Sequence, residues 1–392
     1  MLEKWNVRRP ALTGAVFLAL AAPALAQNAP PALEPETIPA HATLPKAYPQ
    51  SWVFVHDLNG TSIVDGRVAV VDVSAGEPNL KGQIRAAQFA AMVQGKTRGE
   101  LYVAETFYSR LTRGERTDVL TIYDPETLQE KGEVVLPPKR YQVVTLPNTF
   151  RLTGDESRAL VFNFTPAASV TVVDLAGRKV LGEIDLPGCS LVYPTAQQSF
   201  FTLCANGGLT AIRLDARGAI AAQKDVEPFN DIDNDAMFMI PARVGATYYF
   251  ATFNGNIRPI VGEEGDARVL PAFSLLSPGD DAERWRPAGW QVLTADDAGR
   301  LYVVLRKGAK EGDHKSGGSR VRIVDPATRA RVSDIDLRAD AYSIEATHGP
   351  QPLLVAATVT GELDIYDALS GKFVRTIGGH IARKATAIQA VR

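Results

Sequence analysis

The run VTVVD, Val170 to Asp174, reads as a β-strand that stops on a turn residue: four β-branched side chains, then an aspartate. It recurs along the chain. VAVVD spans Val68 to Asp72, VLTIYD Val119 to Asp124, VRIVD Val321 to Asp325 and LDIYD Leu363 to Asp367; Leu209 to Leu214 and Asn256 to Val261 hold the same place in the series. Ahead of each stands another apolar run: Trp52 to Val55, Leu101 to Ala104, Ala159 to Phe162, Phe200 to Cys204, Tyr248 to Thr252, Leu301 to Leu305 and Leu353 to Ala357. After several comes a small turn and a third run, as at Lys131 to Leu136, Lys179 to Leu186 and Phe373 to Ile377. Gly, Pro, Asp and Asn separate the runs, and no long amphipathic helical pattern occurs from residue 51 onward. Both series have seven members, about fifty residues apart, the length of a four-stranded propeller blade with its loops.

These repeats predict an all-β fold, a seven-bladed β-propeller over residues 51–392. One four-stranded sheet leaves both faces uncovered; packing it against its neighbours buries them, and a closed circle leaves no end sheet exposed. The run at Trp52 resembles the second strand of its blade, with no partner upstream. Ala385 to Val391 follows the last outer strand and sits where the first strand of another blade belongs. It is expected to return to the first blade and close the ring. A pair of β-sandwiches is the competing architecture, and it does not explain seven similar units.

Of the 392 residues, 45% are hydrophobic, ample for a large core. The formal net charge is −2 and no basic stripe stands out, which argues against nucleic acid as a partner. Lys4, Arg8 and Arg9 precede the apolar run Ala11 to Ala22, and Ala24-Leu25-Ala26 supplies a small-x-small cleavage site. Residues 1–26 therefore read as a signal peptide and 27–50 as a Pro/Ala-rich leader, giving an exported protein with no membrane segment after cleavage. An uncleaved anchor is the alternative, which Pro23 disfavours. Export puts Cys189 and Cys204 in an oxidising compartment, where two thiols usually pair. The fourteen residues between them suit a loop joining neighbouring strands. Two buried free thiols are the alternative; a metal site is weaker, with no ligand-spaced His or Cys nearby.

Catalytic patterns are sparse. The histidines His41, His56, His314, His348 and His380 form no HxH, HExxH or HxxxH motif, and there is no GxSxG elbow or P-loop. Asp72, Asp124, Asp174, Asp325 and Asp367 recur at one position of the repeat, which points to turn capping rather than catalysis. Three stretches are unusually polar or aromatic for connections: Thr106 to Asp118, Trp285 to Gln291 and Lys310 to Lys315. Oversized loops on a rigid β scaffold are where binding surfaces sit.

SRLTRGERTD at Ser109 to Asp118, followed by YDPETL at Tyr123 to Leu128, resembles the large subunit of the methylamine and aromatic amine dehydrogenases. So do WRPAGWQ at Trp285 to Gln291, Gly312-Asp313-His314-Lys315, and Cys189 and Cys204 with Tyr193-Pro194 and Phe200-Phe201 between them, similar to that family's intrachain disulfide. The resemblance covers about residues 50 to 380. It implies a periplasmic α2β2 heterotetramer whose small subunit carries tryptophan tryptophylquinone and the catalytic base. That assembly oxidatively deaminates a primary amine to aldehyde and ammonia and passes electrons to a blue copper protein such as amicyanin or azurin. The chain itself would hold no catalytic residue, cofactor or metal: Trp52, Trp285 and Trp290 remain after cleavage, without a Cys-dense framework for a quinone. Candidates for the small-subunit interface or substrate channel are Phe107, Tyr108, Arg110, Arg113, Arg116, Trp285, Trp290, His314 and Lys315, together with Asn59, Gly60 and Thr61. In the methylamine branch an aromatic side chain projects from the first-blade loop into the channel. The matching Leu58-Asn59-Gly60-Thr61 has none, so methylamine and larger amines both stay open. The alternative function is a freestanding periplasmic propeller, a binding scaffold or a lactonase-like hydrolase. The latter needs convergent His and carboxylates at the central channel, and the sequence carries no such pattern.

Overall fold

The computed structural model describes residues 43–383 and 385–392; the proposed signal peptide and most of the leader lie outside them. Every run quoted above falls on a strand or its last turn: Val68 to Asp72 in Arg67–Asp72, Val170 to Asp174 in Ser169–Asp174, Val321 to Asp325 in Gly318–Asp325, and likewise for the others. The runs are largely apolar, with buried Arg322 and Asp364 as exceptions, because the sheets are covered on both sides. In Trp52–Asp57, Trp52 and Phe54 pack with Met92, Leu101 and Val103 of the next sheet, whereas Val53 and Val55 pack with Val355, Ala357 and Ile365 of the last. Alternate residues enter opposite cores, which removes the polar face of an ordinary half-exposed strand.

The strands form six hydrogen-bonded sheets. Four are four-stranded, one has five strands and one has eight. This corrects the expectation of seven separate blades. The cause lies in Ala330–Ala346, a single strand of 17 residues. Its first part pairs with Gly318–Asp325 and its last part, Ala341 to Ala346, with Leu353–Thr358. Between them Leu337-Arg338-Ala339-Asp340 has no Gly or Pro to break the extended chain, unlike Pro187-Gly188 or Pro137-Pro138 at other crossings. Arg338 holds the crossing in place: its amide donates to the Tyr366 hydroxyl at 2.9 Å and its guanidinium lies 4.1 Å from the Phe373 ring centroid.

Six apolar clusters join the sheets in sequence, and one of them links Val355, Ile365 and Ile388 back to Val53 and Val71. The C-terminal strand Ala385–Ala390 pairs antiparallel with Trp52–Asp57, Val55 opposite Ile388. The tail therefore supplies the partner that the sequence lacks upstream of Trp52.

The strand-end aspartates act as turn caps in four of the five cases. Asp72 accepts from the Ser74 amide at 3.0 Å, Asp124 from Glu126 and Thr127 at 2.9 Å, Asp325 from Ala327 at 2.8 Å, and Asp367 from Ser370 at 2.7 Å. The amides of Thr127 and Ser370 hold the carboxyls of Asp124 and Asp367 below their ordinary range. Asp174 differs: it accepts from the Arg158 guanidinium at 2.9 Å.

Candidate docking face

Antiparallel register alternates the connections between two ends of the molecule. Asp57 lies opposite Arg67 and Arg67 opposite Arg85, so the loop holding Asn59, Gly60 and Thr61 shares an end with the 86–90 connection. Ala91 faces Ala104, and Ala104 faces Leu120, which brings the 107–116 hairpin to that end as well. From the other direction, Asp57 pairs with Ala385, Ala341 with both Thr358 and Gly318, and Leu305 with Arg320. The 307–317 loop follows to the same end. The capped turns after Asp72, Asp124, Asp325 and Asp367 lie at the opposite one. All twelve candidate interface residues thus share one end of the fold.

The most prominent feature there is a hairpin of two eleven-residue strands, Glu100–Arg110 and Arg113–Tyr123. It outruns its neighbours: Ala91–Gly95 pairs only as far as Ala104, and Glu130–Leu136 only as far as Asp118. Leu111 takes φ 65° and Gly114 φ 97° at the tip. Phe107 is 44% and Leu111 74% exposed, and Arg110 and Arg113 are exposed beside them. Tyr108 is partly buried, its hydroxyl donating to Gln142 at 3.3 Å.

The base of the hairpin is rigid. Asp118, fully buried, accepts both Nε and Nη2 of Arg116 at 2.8 Å, the Thr106 hydroxyl at 2.7 Å and the Arg140 amide at 2.8 Å. Arg140 extends the network to the carbonyls of Gln88 at 2.6 Å and Phe89 at 3.0 Å, residues held at φ 56° and 57°. Glu105 accepts from the Ala87 amide and the Thr121 hydroxyl. Burial raises the Glu105 carboxyl and pulls the Arg140 guanidinium down to about 10, against the pull of Asp118. Sequence reading missed Arg140; a lone Arg between Pro137-Pro138-Lys139 and Tyr141 gives no signal of a buried keystone.

The two tryptophans separate. Trp285 is 5% exposed and packs with Val292, Leu305 and Phe273; its indole N–H donates to Glu283 at 2.9 Å and Arg320 covers the ring at 4.4 Å. It is a core residue. Trp290 stays partly exposed, with the Lys315 ammonium 5.6 Å from its ring centroid. His314 is exposed, edge-on to Phe253 at 6.5 Å, and its carbonyl accepts from the Gly289 amide at 2.8 Å. The structure therefore brings Trp290, His314 and Lys315 together. Gly289 is required between them: at φ 147°, an added Cβ would stand 2.5 Å from the Tyr342 carbonyl oxygen. Asn59 takes φ 48°; its side-chain Nδ2 donates to the Asp65 carbonyl, and the Thr61 hydroxyl accepts from the Arg383 guanidinium at 2.9 Å.

Cys189 and Cys204 stand directly opposite each other on adjacent strands and form a disulfide. Among the described residues no helix is long and apolar enough to cross a membrane.

The fold is that of a β-propeller. It is shared with a putative 6-phosphogluconolactonase of Bacteroides fragilis (TM-score 0.57, 12% identity, 91% of this chain and 99% of that one). It is shared too with a functionally unknown protein of Desulfotomaculum acetoxidans (TM-score 0.55, 13% identity, 86% and 98%). Residues 51–390 match the family described as methylamine dehydrogenase heavy chain (MADH). The methylamine dehydrogenase heavy chain of Methylorubrum extorquens is 30% identical over 279 residues, 70% of this chain and 67% of its own length. That of Methylophilus methylotrophus is 28% identical over 71% of this chain and 69% of its own. This chain belongs to the methylamine dehydrogenase heavy chain family.

Proposed function

We propose that this chain is the large, non-catalytic subunit of a periplasmic, tryptophan tryptophylquinone-dependent amine dehydrogenase. In this reading a small subunit supplies quinone and catalytic base, a primary amine leaves as aldehyde and ammonia, and a blue copper protein such as amicyanin or azurin takes the electrons. The observation that carries the reading is the family match, continuous from residue 51 to 390. The small subunit docks on the end that carries the long hairpin, and the complex is an α2β2 heterotetramer. Exposed Phe107, Leu111, Arg110 and Arg113 on a braced hairpin support that choice, because aromatic, apolar and Arg side chains dominate interface energetics. The Cys189–Cys204 bond supports export to an oxidising compartment, with residues 1–26 as signal and 27–50 as leader. The propeller is read as a closed ring. The pairing of Ala385–Ala390 with Trp52–Asp57 supports closure.

The test is purification of the native complex followed by an amine-dependent dye-reduction assay. A small quinone-bearing subunit should co-purify, and activity should reside in the complex. Amine oxidation by this chain expressed alone would reject the assignment.

A further inference from the structure

The innermost strands of all the sheets surround a cavity of about 250 Å³. Its wall includes Gln94, Arg151, Arg243, Glu345 and Arg392, and it takes Gly154, Glu156 and His348 from turns at the end opposite the docking hairpin. We propose that this cavity is a binding site for a small oxyanion, a phosphate or a carboxylate, gripped by Arg151 and Arg392.

The carboxylates of the cavity are already engaged. Glu345 accepts from Gln291 Nε2 at 2.8 Å, the Thr294 hydroxyl at 3.0 Å and the Ala390 amide at 3.1 Å. Burial raises its carboxyl, while Arg392 and His348 pull it the other way. Glu156 accepts from the Thr97 amide at 2.7 Å. His348 is taken up by Asp297, Nδ1 to Oδ1 at 2.5 Å.

The cations are not engaged in this way. Among the described residues the Arg151 side chain donates no hydrogen bond and joins no ion pair, and it sits within the field of a second guanidinium, Arg392. Burial and that neighbour pull Arg151 down to about 10, against the weaker opposing pull of Tyr248, Glu345 and Tyr193. Arg392 uses its backbone amide on Gln94 at 2.8 Å and leaves its side chain exposed at the cavity mouth. A third guanidinium, Arg243, stacks on Tyr248 at 5.0 Å and donates to the Gly245 carbonyl.

A guanidinium drawn into a cavity beside a second guanidinium, with no carboxylate hydrogen-bonded to it, is costly to hold, and the cavity walls focus its field. The planar fork of Arg matches two oxygens of a phosphate or carboxylate. The volume suffices: a water occupies about 30 Å³ of liquid, so the cavity holds a small oxyanion with several waters. The site is at the far end from the proposed docking face, so its test stands apart from the subunit assignment.

The experiment is isothermal titration of the full mature chain, in its complex where one forms, with inorganic phosphate and separately with acetate at constant ionic strength. Arg151→Met, Arg392→Ala and, as an exposed control, Arg217→Ala are titrated alongside. Saturable binding of either anion, weakened at least tenfold in Arg151→Met and several-fold in Arg392→Ala but unchanged in Arg217→Ala, is expected. Phosphate binding alone would assign a phosphorylated ligand class, and acetate binding alone a carboxylate. Should Arg151→Met fail to fold, Arg392→Ala decides. No saturable binding of either anion to the wild type, or unchanged affinity in the folded Arg variants, would overturn the site.

Discussion

Gln291 and Ile388 satisfy each other from both sides of an amide. The Gln291 side chain donates to the Ile388 carbonyl at 2.9 Å and accepts from the Ile388 amide at 3.1 Å, across 97 residues of sequence. The same Nε2 also reaches the Ile344 carbonyl at 2.9 Å, so one side chain ties the eight-stranded sheet to the closing strand.

Replacing Gln291 with Leu would leave the backbone groups of Ile388 buried without their partner, at about 1–3 kcal/mol per group. Gln291→Leu should therefore lower the urea midpoint clearly, and deletion of residues 385–392 should lower it further. A Gln291→Leu midpoint equal to wild type would contradict the seam role.

Arg140 and Arg116 share Asp118 but differ in burial, Arg140 being 2% exposed. Arg140→Met removes the deeper partner of a buried carboxylate and should destabilise by about 3–5 kcal/mol. Arg116→Ala should cost less, because its side chain is 21% exposed. Hydrogen exchange at residues 105–120 should rise in Arg140→Met; unchanged protection there would show that the network does not brace the hairpin.

The hairpin tip and the tryptophans should part company. Arg113→Ala and Leu111→Asp should weaken co-purification of the small subunit while leaving thermal unfolding of the isolated propeller nearly unchanged. Trp290→Ala should also act on association more than on folding. Trp285→Ala should instead destabilise the fold, by about 3–5 kcal/mol, as loss of a buried aromatic does. Full co-purification with both tip variants would remove the hairpin from the interface.

His56 is 3% exposed and its Nε2 has no hydrogen-bond partner among the described residues; burial, then Arg151, pushes its pKa down to about 3. The folded value lies below the unfolded one of about 6.5, so the contribution is fully present above pH 6.5 and is lost as pH falls toward 3. Each pH unit in that window removes about 1.4 kcal/mol. His56→Leu should flatten the stability profile between pH 6.5 and 5, where this group accounts for about 2 kcal/mol. Parallel profiles for wild type and variant would exclude His56 as an acid-sensitive group.

Thiol labelling of the denatured, unreduced mature protein should find no free cysteine, and reduction should lower stability by about 2–4 kcal/mol. Two labelled cysteines would refute the bond.

What the sequence determined by itself is what local chemistry writes into it. Apolar runs such as Val68 to Asp72 mark the strands, because a strand covered on both faces is apolar at most positions. The aspartates after them mark turns, because a carboxylate caps its own next amides. The unpaired run at Trp52 and the spare one at Ala385 announced each other. The export signal and two cysteines spaced for neighbouring strands pointed to a disulfide, which the structure forms. What only the tertiary structure decided depends on partners far away in the chain. Nothing local distinguishes Trp285 from Trp290, yet Arg320 and Phe273 bury the first. Arg116 reads like Arg110 and Arg113 until Asp118 and Arg140 claim it. The unbroken Ala330–Ala346 strand, which turned seven expected sheets into six, is extended because two different strands hold its two halves. Arg151 and Arg392 stand 241 residues apart and line one cavity only because the innermost strands of different sheets come together on folding.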